Sequence, residues 1–388
     1  MEFTIVIPTR ERADTLYHTI RSVLCQTYPN FELVVMDNAS ADDTGEVVAG
    51  FRDPRIRYVR SPERLSMADN WELGLSHATG DYVFILGDDD ALLPDGLAIC
   101  RALIQQHRPQ IVSWVRYFYG WPSAIAERAR NRLFLHLTQD IVVQDGKQLL
   151  RQFYQSKASF EVLPMIYNSF VHRDLIERIR RIKGRYFCLP VPDVYSGVIN
   201  AYYTGNYLFL HRSLSLSGSS GHSIGASGLD ADKQPAAFKK FLAETKFWNV
   251  HPALQADPAE LREEMLSMTE FAIGETMFSA KDLMFREDES IQVDILELLK
   301  SIAGALARYP ESYARRRQYL VNLGRRYNIN VDLPEAPPLL TVERPQGPMR
   351  DASGQISSMV VNCQRAGVSN AADAARLASA MLPDVRTD

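Results

Sequence analysis

Runs of apolar residues and stripes of helical spacing alternate regularly over the first 117 residues. The apolar runs have the length of strands, and between them apolar residues recur every three or four positions, as on one face of a helix. Strands that alternate with helices are typical of a parallel sheet covered by helices. The pattern therefore predicts an α/β fold with a doubly wound, mostly parallel sheet. The predicted strands cover residues 3–7, 31–36, 56–59, 82–86 and 111–115.

The pattern changes after about residue 230, where every periodic segment has helical spacing. An all-helical C-terminal region is therefore expected. A proline-rich stretch over residues 334–348 then indicates an extended linker. The predicted helices cover residues 236–248, 258–285, 291–309 and 312–327.

Composition and charge narrow the range of partners and compartments. The chain has 43 basic and 47 acidic residues, a formal charge of −4, so we expect no bulk attraction to nucleic acid. No apolar run approaches the roughly 20 residues of a transmembrane segment, and a strand beginning at residue 3 leaves no room for a signal peptide. The widely spaced cysteines favour reduced thiols. We therefore expect a cytoplasmic protein, either free or in peripheral contact with the inner face of the membrane.

Three consecutive aspartates, Asp88, Asp89 and Asp90, follow the predicted strand over residues 82–86. Open α/β sheets bind ligands at the carboxyl ends of their strands, and adjacent carboxylates repel unless a cation or a hydrogen-bond donor offsets them. Magnesium and manganese are commonly held by one or two carboxylates together with the phosphates of a substrate. The aspartates therefore predict a metal and diphosphate site, although an acidic turn or a helix cap would use the same residues.

Polar residues also follow the first two predicted strands. In a doubly wound sheet these strand ends line the same crevice as the aspartates. Each of these residues alone is explained equally well as part of a loop or turn, so their joint placement carries the prediction. The residues are Pro8, Thr9, Arg10, Glu11 and Arg12 after the first strand, and Asp37 and Asn38 after the second.

Together these segments resemble family-2 glycosyltransferases with the GT-A fold. The family transfers a sugar from a nucleotide-diphosphate donor to an acceptor hydroxyl with inversion at the anomeric carbon. The resemblance implies a metal-dependent transferase using a UDP-hexose or UDP-N-acetylhexosamine, in the assembly of cell-surface polysaccharide or glycoconjugates. The matching segments, in order over roughly the first 120 residues, are 5–10, 34–42, Asn70 with Gly74, 78–83 and 88–90.

The resemblance also implies roles for individual residues. Asp37 corresponds to the acidic residue that binds the base, but Asp-Asn-Ala-Ser stands here where many members have Asp-Asp-Gly-Ser, which leaves the base open. Asp89 corresponds to the usual ligand of manganese or magnesium. Asp88 would contact the ribose or share the metal, and Asp90 would contact the metal ligands rather than the metal. The literal Asp-x-Asp alternative assigns the metal to Asp88 and Asp90. The other nucleotide-sugar-binding candidates are Pro8, Thr9, Arg10, Arg12, Asn38 and Asn70.

Asp193 is the candidate catalytic base, because an acceptor hydroxyl is a poor nucleophile until its proton is removed. It begins an apolar helix after two prolines, where the family places its catalytic carboxylate, although a helix cap is the competing interpretation. In part of the family a loop histidine completes the metal shell, and His222 is the candidate here. The hydroxyls of Ser217, Ser219 and Ser220 are further candidates for phosphate or acceptor contacts.

These observations predict three parts of the chain. The C-terminal helices are expected to cover the acceptor side, to form a homo-oligomer interface or to hold a partner enzyme. The expected substrates are a nucleotide sugar and a glycan, glycolipid or small-molecule acceptor. The parts are a GT-A catalytic domain over 1–230 (nucleotide-binding half 1–117, acceptor half 118–230 with a flexible loop at 213–228), a helical domain over 231–330, and a proline-rich linker with a tail or helix over 331–388.

Two other functions compete with this prediction. A catalytically inactive nucleotide-sugar-binding or scaffold protein would keep the same fold, but the chain retains Asp89, Asp193 and His222 together. A nucleotidyltransferase would carry an early glycine-rich phosphate loop with a downstream lysine, whereas residues 7–20 contain no glycine. The transferase is therefore the favoured prediction.

Overall fold

The computed structural model describes residues 3–223, 241, 243–245, 249–338, 347–350 and 355–382. Residues 224–228 of the predicted flexible loop, and most of the helix predicted over 236–248, lie outside this part of the chain. Within it, strands and helices alternate along the N-terminal half, and helices predominate between residues 259 and 326. The predicted α/β fold with a helical C-terminal region is confirmed.

The strands of the described residues form two sheets. Each of the five predicted strands is present, with bounds within two residues of those expected. The strands are β1 (Phe3–Thr9), β2 (Phe31–Asp37), β3 (Ile56–Arg60), β4 (Tyr82–Ile85), β5 (Ala91–Leu92), β6 (Ile111–Trp114), β7 (Tyr117–Gly120), β8 (Arg132–His136), β9 (Ile141–Asp145), β10 (Ser169–His172), β11 (Asn206–Leu210), β12 (Ser215–Ser219), β13 (Gly347–Arg350) and β14 (Ile356–Asn362).

The larger sheet has eight strands in the order β3-β2-β1-β4-β10-β6-β11-β9. β1 pairs in parallel with both β2 and β4, whereas β10 and β9 run antiparallel to their neighbours. The sheet is therefore mostly parallel. After β1 the chain builds β2 and β3 on one side and then crosses to β4 on the other, so a topological switch point lies between β1 and β4. The carboxyl ends of β1, β2 and β4 therefore border one crevice.

Helices cover both faces of this sheet because its strands are apolar on both sides. Val6 of β1 packs into a core with α3, α5, α6 and α7, while Ile5 and Ile7 pack into a second core with α1 and α4. This alternation places the sheet in the middle layer of three. The helices are α1 (Ala13–Leu24), α2 (Thr44–Ala49), α3 (Met67–Ser76), α4 (Gly96–His107), α5 (Gly146–Tyr154), α6 (Arg173–Lys183), α7 (Pro192–Thr204), α8 (Arg262–Leu266), α9 (Thr269–Met284), α10 (Ile295–Ala305), α11 (Tyr313–Arg326) and α12 (Ala371–Met381).

The helical region encloses a core of its own, formed by side chains such as Phe271, Ile302 and Tyr319. It also docks onto the sheet domain, since Met277 of α9 belongs to the core around α7. The Tyr154 hydroxyl donates a hydrogen bond to the Met277 carbonyl at 2.7 Å. No helix in the described residues is both long and apolar enough to span a bilayer.

The second sheet joins the C-terminal segment to the N-terminal domain, in the order β13-β14-β8-β7-β12-β5. Helix α12 packs over this sheet, where Ala375 and Ala378 share a core with Tyr117 and Leu133. The sequence predicted only a linker and a tail or helix over residues 331–388, so these two strands were missed. β14 pairs with β8, which is distant along the chain, and its half-buried residues carry no strong apolar pattern.

Candidate active site

The three aspartates lie in the turn that leads from β4 to β5, at the carboxyl end of β4. Asp88, Asp89 and Asp90 are each no more than 5% exposed. Three buried carboxylates in sequence repel one another, so the surrounding donors decide how their charge is balanced. Each aspartate has a different set of partners, and the three are therefore not equivalent.

Asp88 forms an ion pair with Arg12, which lies between β1 and α1. Arg12 Nη1 is 2.6 Å from Asp88 Oδ1, and Arg12 Nη2 donates to the carbonyl oxygen of His222 at 2.6 Å. Burial opposes the charge of Arg12, but the attraction of Asp88 and Asp89 outweighs it and raises the pKa of Arg12. Burial raises the pKa of Asp88, although Arg12 acts in the opposite direction. One guanidinium thus offsets part of the charge of the aspartates.

Asp89 is held by the loop that follows β12. Its Oδ2 atom accepts hydrogen bonds from the Ser220 hydroxyl at 2.7 Å and from the Ser223 hydroxyl. The Trp121 indole donates to the Asp89 carbonyl oxygen at 2.8 Å. Among the described residues no donor reaches Asp89 Oδ1. That oxygen can therefore accept a ligand without displacing a hydrogen bond.

Asp90 ties β12 to the same turn. Its Oδ1 atom accepts the backbone N–H of Gly218 at 2.6 Å, and its Oδ2 atom accepts that of Gly87 at 3.1 Å. The nearby Tyr167 hydroxyl acts to lower the pKa of this carboxylate. Burial, followed by the charge of Asp89, raises the pKa of Asp90 to about 7. Both oxygens of Asp90 accept backbone N–H groups, so this residue ties β12 to the turn that carries the aspartates.

Asp37 lies at the end of β2 and is 1% exposed. Its Oδ2 atom accepts from the Tyr58 hydroxyl at 2.6 Å and lies 3.3 Å from Arg60 Nε, both on β3. Its Oδ1 atom accepts the backbone N–H of Ser40 at 2.9 Å. The neighbouring Asn38 amide exchanges two hydrogen bonds with the backbone of Leu65, at 2.9 and 2.7 Å. This end of the crevice is therefore already rigid.

The other residues predicted to bind the nucleotide lie on β1, in the segment that follows it, and on α3. Pro8 and Thr9 are the last residues of β1, and Arg10 Nη1 forms an ion pair with Glu244 Oε2 at 2.5 Å. Asn70 of α3 is 4% exposed, and its Oδ1 atom is buried with no hydrogen-bond partner among the described residues. An unpaired buried amide oxygen is costly, and a ligand hydroxyl or amide would satisfy it.

Asp193 lies inside the first turn of α7. Val191 is the N-cap residue, so the competing interpretation of Asp193 as the cap is wrong. Burial raises the pKa of Asp193, while the backbone N–H of Val194 and the charge of Arg116 act to lower it. A desolvated carboxylate with a raised pKa is a better proton acceptor than an exposed one.

His222, Ser217 and Ser219 lie outside the turn that carries the three aspartates. His222 is exposed, and within the described residues its imidazole does not combine with Asp88 and Asp89 into a three-ligand metal set. Ser217 and Ser219 lie on β12 itself. A divalent cation nonetheless fits the donors present, because one or two carboxylates with a substrate diphosphate suffice for magnesium or manganese.

Several residues of the site had no recognisable signal in the sequence. Thr19 donates to the Asp90 carbonyl oxygen at 2.8 Å from inside α1, where its spacing is that of any helical residue. The contacts of Trp121 and Tyr58 with the aspartates were not predictable from the sequence either, because pairing of strands within the sheets brings each residue to the site. Ser223 lies in the predicted serine-rich loop. Its closeness in sequence to Ser220, which was a candidate, was the one indication that it belongs to the site.

The N-terminal part of the chain is similar to known proteins. Residues 4–186 match the family model described as glycosyl transferase family 2. The chain is 24% identical to glycosyltransferase GlyG of Streptococcus pneumoniae serotype 4 over 191 residues, which is 47% of this chain and 61% of the relative. It is 33% identical over 87 residues to an Escherichia coli protein, UDP-Glc:alpha-D-GlcNAc-diphosphoundecaprenol beta-1,3-glucosyltransferase WfaP, covering 22% of this chain and 35% of that one.

A solved structure, residues 1–349 of TarS from S. aureus in complex with UDP-GlcNAc, has a TM-score of 0.47 and 14% identity, and covers 85% of this chain and 93% of that one. The matched segments of the two relatives span less than two thirds of the length of those proteins.

Proposed function

We propose, because residues 4–186 match the family model described as glycosyl transferase family 2, that the protein transfers a sugar from a nucleotide-diphosphate donor to an acceptor hydroxyl with inversion at the anomeric carbon. The observation that carries the proposal is the buried group of Asp88, Asp89 and Asp90 at the switch point of a GT-A sheet. The chain also supplies one paired guanidinium, Arg12, and a separate half-buried carboxylate, Asp193.

The donor is proposed to be a UDP-hexose or UDP-N-acetylhexosamine. Asp37 would bind the base at one end of the crevice, where Tyr58 and Arg60 already orient its carboxylate. The unpaired amide oxygen of Asn70 would accept a hydrogen bond from the nucleoside. The relative named as a UDP-glucose transferase supports a uridine donor.

Asp89, through its open Oδ1 atom, would hold a divalent cation, with Asp88 sharing it and His222 approaching from its loop. When bound, a manganese or magnesium ion supplies Lewis-acid neutralisation of the diphosphate charge. Arg12, 2.6 Å from Asp88 Oδ1, offsets part of the negative charge of the aspartates on the same side. Ser220 and Ser223 keep Asp89 oriented by hydrogen bonds to its other oxygen.

Asp193 is proposed to take the proton of the acceptor hydroxyl as the new glycosidic bond forms. Its position in the first turn of α7 fixes its backbone, since the Ser196 hydroxyl donates to the Asp193 backbone carbonyl oxygen at 2.6 Å. General-base catalysis of this kind contributes about 10²- to 10⁴-fold. Attack from the side opposite the leaving diphosphate inverts the anomeric carbon.

The setting is proposed to be the assembly of a cell-surface polysaccharide or glycoconjugate. The relative whose name includes a diphosphoundecaprenol acceptor supports a lipid-linked substrate, presented at the inner face of the membrane. The four cysteines are free thiols, as expected of a protein in the reducing cytoplasm. Peripheral contact with that membrane would bring the acceptor to the crevice.

A thermal-shift panel tests the donor site. UDP, GDP, dTDP and CDP are each added with and without manganese to the wild type, Asp89→Ala and Asp43→Ala. Asp43 is an exposed carboxylate that makes no side-chain cap, so it is the matched control. At 100 times its Kd a ligand stabilises by about 2.7 kcal/mol, which raises Tm by roughly 5–10 °C in a unit of about 150–250 residues.

We expect a manganese-dependent shift with UDP in the wild type and in Asp43→Ala, lost in Asp89→Ala. Release of nucleotide from the matching nucleotide sugar then separates an active transferase from an inactive binding or scaffold protein. Absence of any shift with all four nucleotides in a folded sample would contradict the proposed function.

A further inference from the structure

Arg116 lies in the connection from β6 to β7 and packs against the ring of Tyr167. Its guanidinium carbon is 5.2 Å from the centroid of the Tyr167 ring. A Cβ atom added at Gly87 would lie 2.7 Å from Asp90 Oδ2 and 2.8 Å from Tyr167 Oη, so the hydroxyl of that tyrosine is close to the Asp90 carboxylate. Ile166, next to Tyr167, donates its backbone N–H to the Ser196 hydroxyl at 3.1 Å, and that hydroxyl donates to the Asp193 carbonyl oxygen at 2.6 Å, so the segment beneath Arg116 is tied to the first turn of α7. The charge of Arg116 also acts to lower the pKa of Asp193. The residue therefore borders the reacting centre.

Arg116 differs from the other arginines of the crevice in its partners. Arg12 is paired with Asp88, Arg10 with Glu244, and Arg60 with Asp37. Among the described residues no carboxylate lies within ion-pair distance of the Arg116 guanidinium and no hydrogen bond to it is formed. Its guanidinium makes a cation–π contact with the Tyr167 ring. This contact uses none of the N–H groups, so they are available to a ligand.

The tyrosine ring fixes the orientation of this guanidinium. Trp71 stacks on Tyr167 with 6.1 Å between ring centroids and 17° between planes, so the ring is held from a second direction. A guanidinium that rests on an aromatic ring keeps its planar fork of donors directed outward. Such a fork matches phosphate and carboxylate oxygens in a bidentate geometry. Arg116 is thus half-buried, oriented and suited to an anion.

Its location indicates which substrate carries that anion. Arg12 is neutralised by Asp88 within the acidic turn, whereas Arg116 has no carboxylate partner among the described residues and lies over the segment that is tied to the first turn of α7 and Asp193. A general base must come within hydrogen-bond reach of the hydroxyl whose proton it takes. A group bound beside Asp193 therefore belongs to the acceptor.

We propose that Arg116 binds a phosphate or carboxylate group of the acceptor, so that the protein selects acceptors with a negative charge close to the reacting hydroxyl. The inference rests on the proposed transferase function and adds the chemical class of the acceptor. Arg116 acts as a specificity-determining residue in this arrangement. It orients the acceptor hydroxyl toward Asp193 by anchoring the neighbouring anion.

Paired acceptors that differ in charge test this proposal. The pairs are N-acetylglucosamine with N-acetylglucosamine 1-phosphate, and glucose with glucuronic acid. The readout is nucleotide release from the nucleotide sugar that the thermal-shift panel indicates as the donor. The variants are Arg116→Gln and Arg116→Lys. Arg128→Gln is the control, because Arg128 is exposed and forms no ion pair among the described residues.

We expect the wild type and Arg128→Gln to favour a charged member by about 10-fold or more in kcat/KM, through a lower KM. Arg116→Gln should remove the preference, and Arg116→Lys should restore part of it. The phosphate pair and the carboxylate pair show which anion is recognised. An unchanged preference in Arg116→Gln would overturn the proposal, as would a wild type that uses both members equally.

A rise in the KM of the nucleotide sugar that matches the rise for the acceptor would also overturn it, because Arg116 would then serve the donor. Calorimetric binding of N-acetylglucosamine 1-phosphate to the wild type and Arg116→Gln gives a second readout that needs no turnover. Loss of this binding in Arg116→Gln, in a protein that releases no nucleotide, would support the anion site while the transferase function fails. Equal binding by the two proteins would reject the anion site.

Discussion

Replacement of Gly218 by alanine tests whether β12 supports the aspartates. A Cβ atom at Gly218 would lie 1.8 Å from the Asp89 carbonyl oxygen and 2.9 Å from Trp121 Nε1. Both distances are far inside van der Waals contact, and the first involves a backbone atom that cannot rotate away. β12 would therefore have to move away from the turn that carries the aspartates.

This movement would weaken two sets of contacts. It stretches the 2.6 Å hydrogen bond from Gly218 N to Asp90 Oδ1 and draws Ser220 away from Asp89. A hydrogen bond to a charged group contributes about 1.5–3 kcal/mol, so we expect Gly218→Ala to lower the free energy of unfolding by about 3 kcal/mol. The corresponding fall in Tm is roughly 6–12 °C for a unit of about 150–250 residues.

The assay combines urea unfolding, followed by circular dichroism, with the manganese-dependent nucleotide shift. Gly304→Ala is the matched control, because a Cβ atom there has nothing within 4 Å and the residue lies in α10. Alanine in place of glycine inside a helix stabilises by about 0.5–1 kcal/mol. Wild-type stability together with a wild-type nucleotide shift in Gly218→Ala would refute the inferred support from β12.

Two further predictions concern Asp193 and α12. Because burial raises the pKa of Asp193, its base form is lost on acidification at a pH above the ordinary aspartate value, and kcat/KM falls there. Asp193→Asn should lower kcat about 10²- to 10⁴-fold, and a smaller loss would contradict its role. Ala375→Glu buries a charge and should lower Tm by more than about 5 °C. The control, Ala380→Glu, lies on the exposed face of α12 and should change Tm by less than about 2 °C. Equal melting points of the two variants would contradict the docking of α12.

The strands of the nucleotide-binding half were predictable because each is a local feature. β1, β2 and β4 are short apolar runs that end at Pro8, Asp37 and Gly87, and such runs are recognisable without knowledge of their partners. The alternation with helices then implied a parallel sheet, and a parallel sheet brings these strand ends to one edge. The crevice and its aspartates therefore followed from the order of residues alone.

The partners of those aspartates were not predictable in the same way. The Ser220 hydroxyl reaches Asp89 across 131 positions of the chain, and Arg12 reaches Asp88 across 76. The return of β14 and α12 to the second sheet is equally remote, and no local periodicity encodes it. Strand pairing and core packing bring these segments together, because both depend on surfaces that exist only after the first sheet has formed.

Local patterning thus accounts for the sheet, the direction of its strands and the acidic turn at its edge. The balance of charge within that turn arises from long-range packing, which buries Asp88 beside Arg12 and leaves one oxygen of Asp89 without a donor. The position of Arg116 beside Tyr167 has the same origin. Periodicity specifies which faces of the elements are buried, whereas the contacts between elements depend on shape and charge in three dimensions.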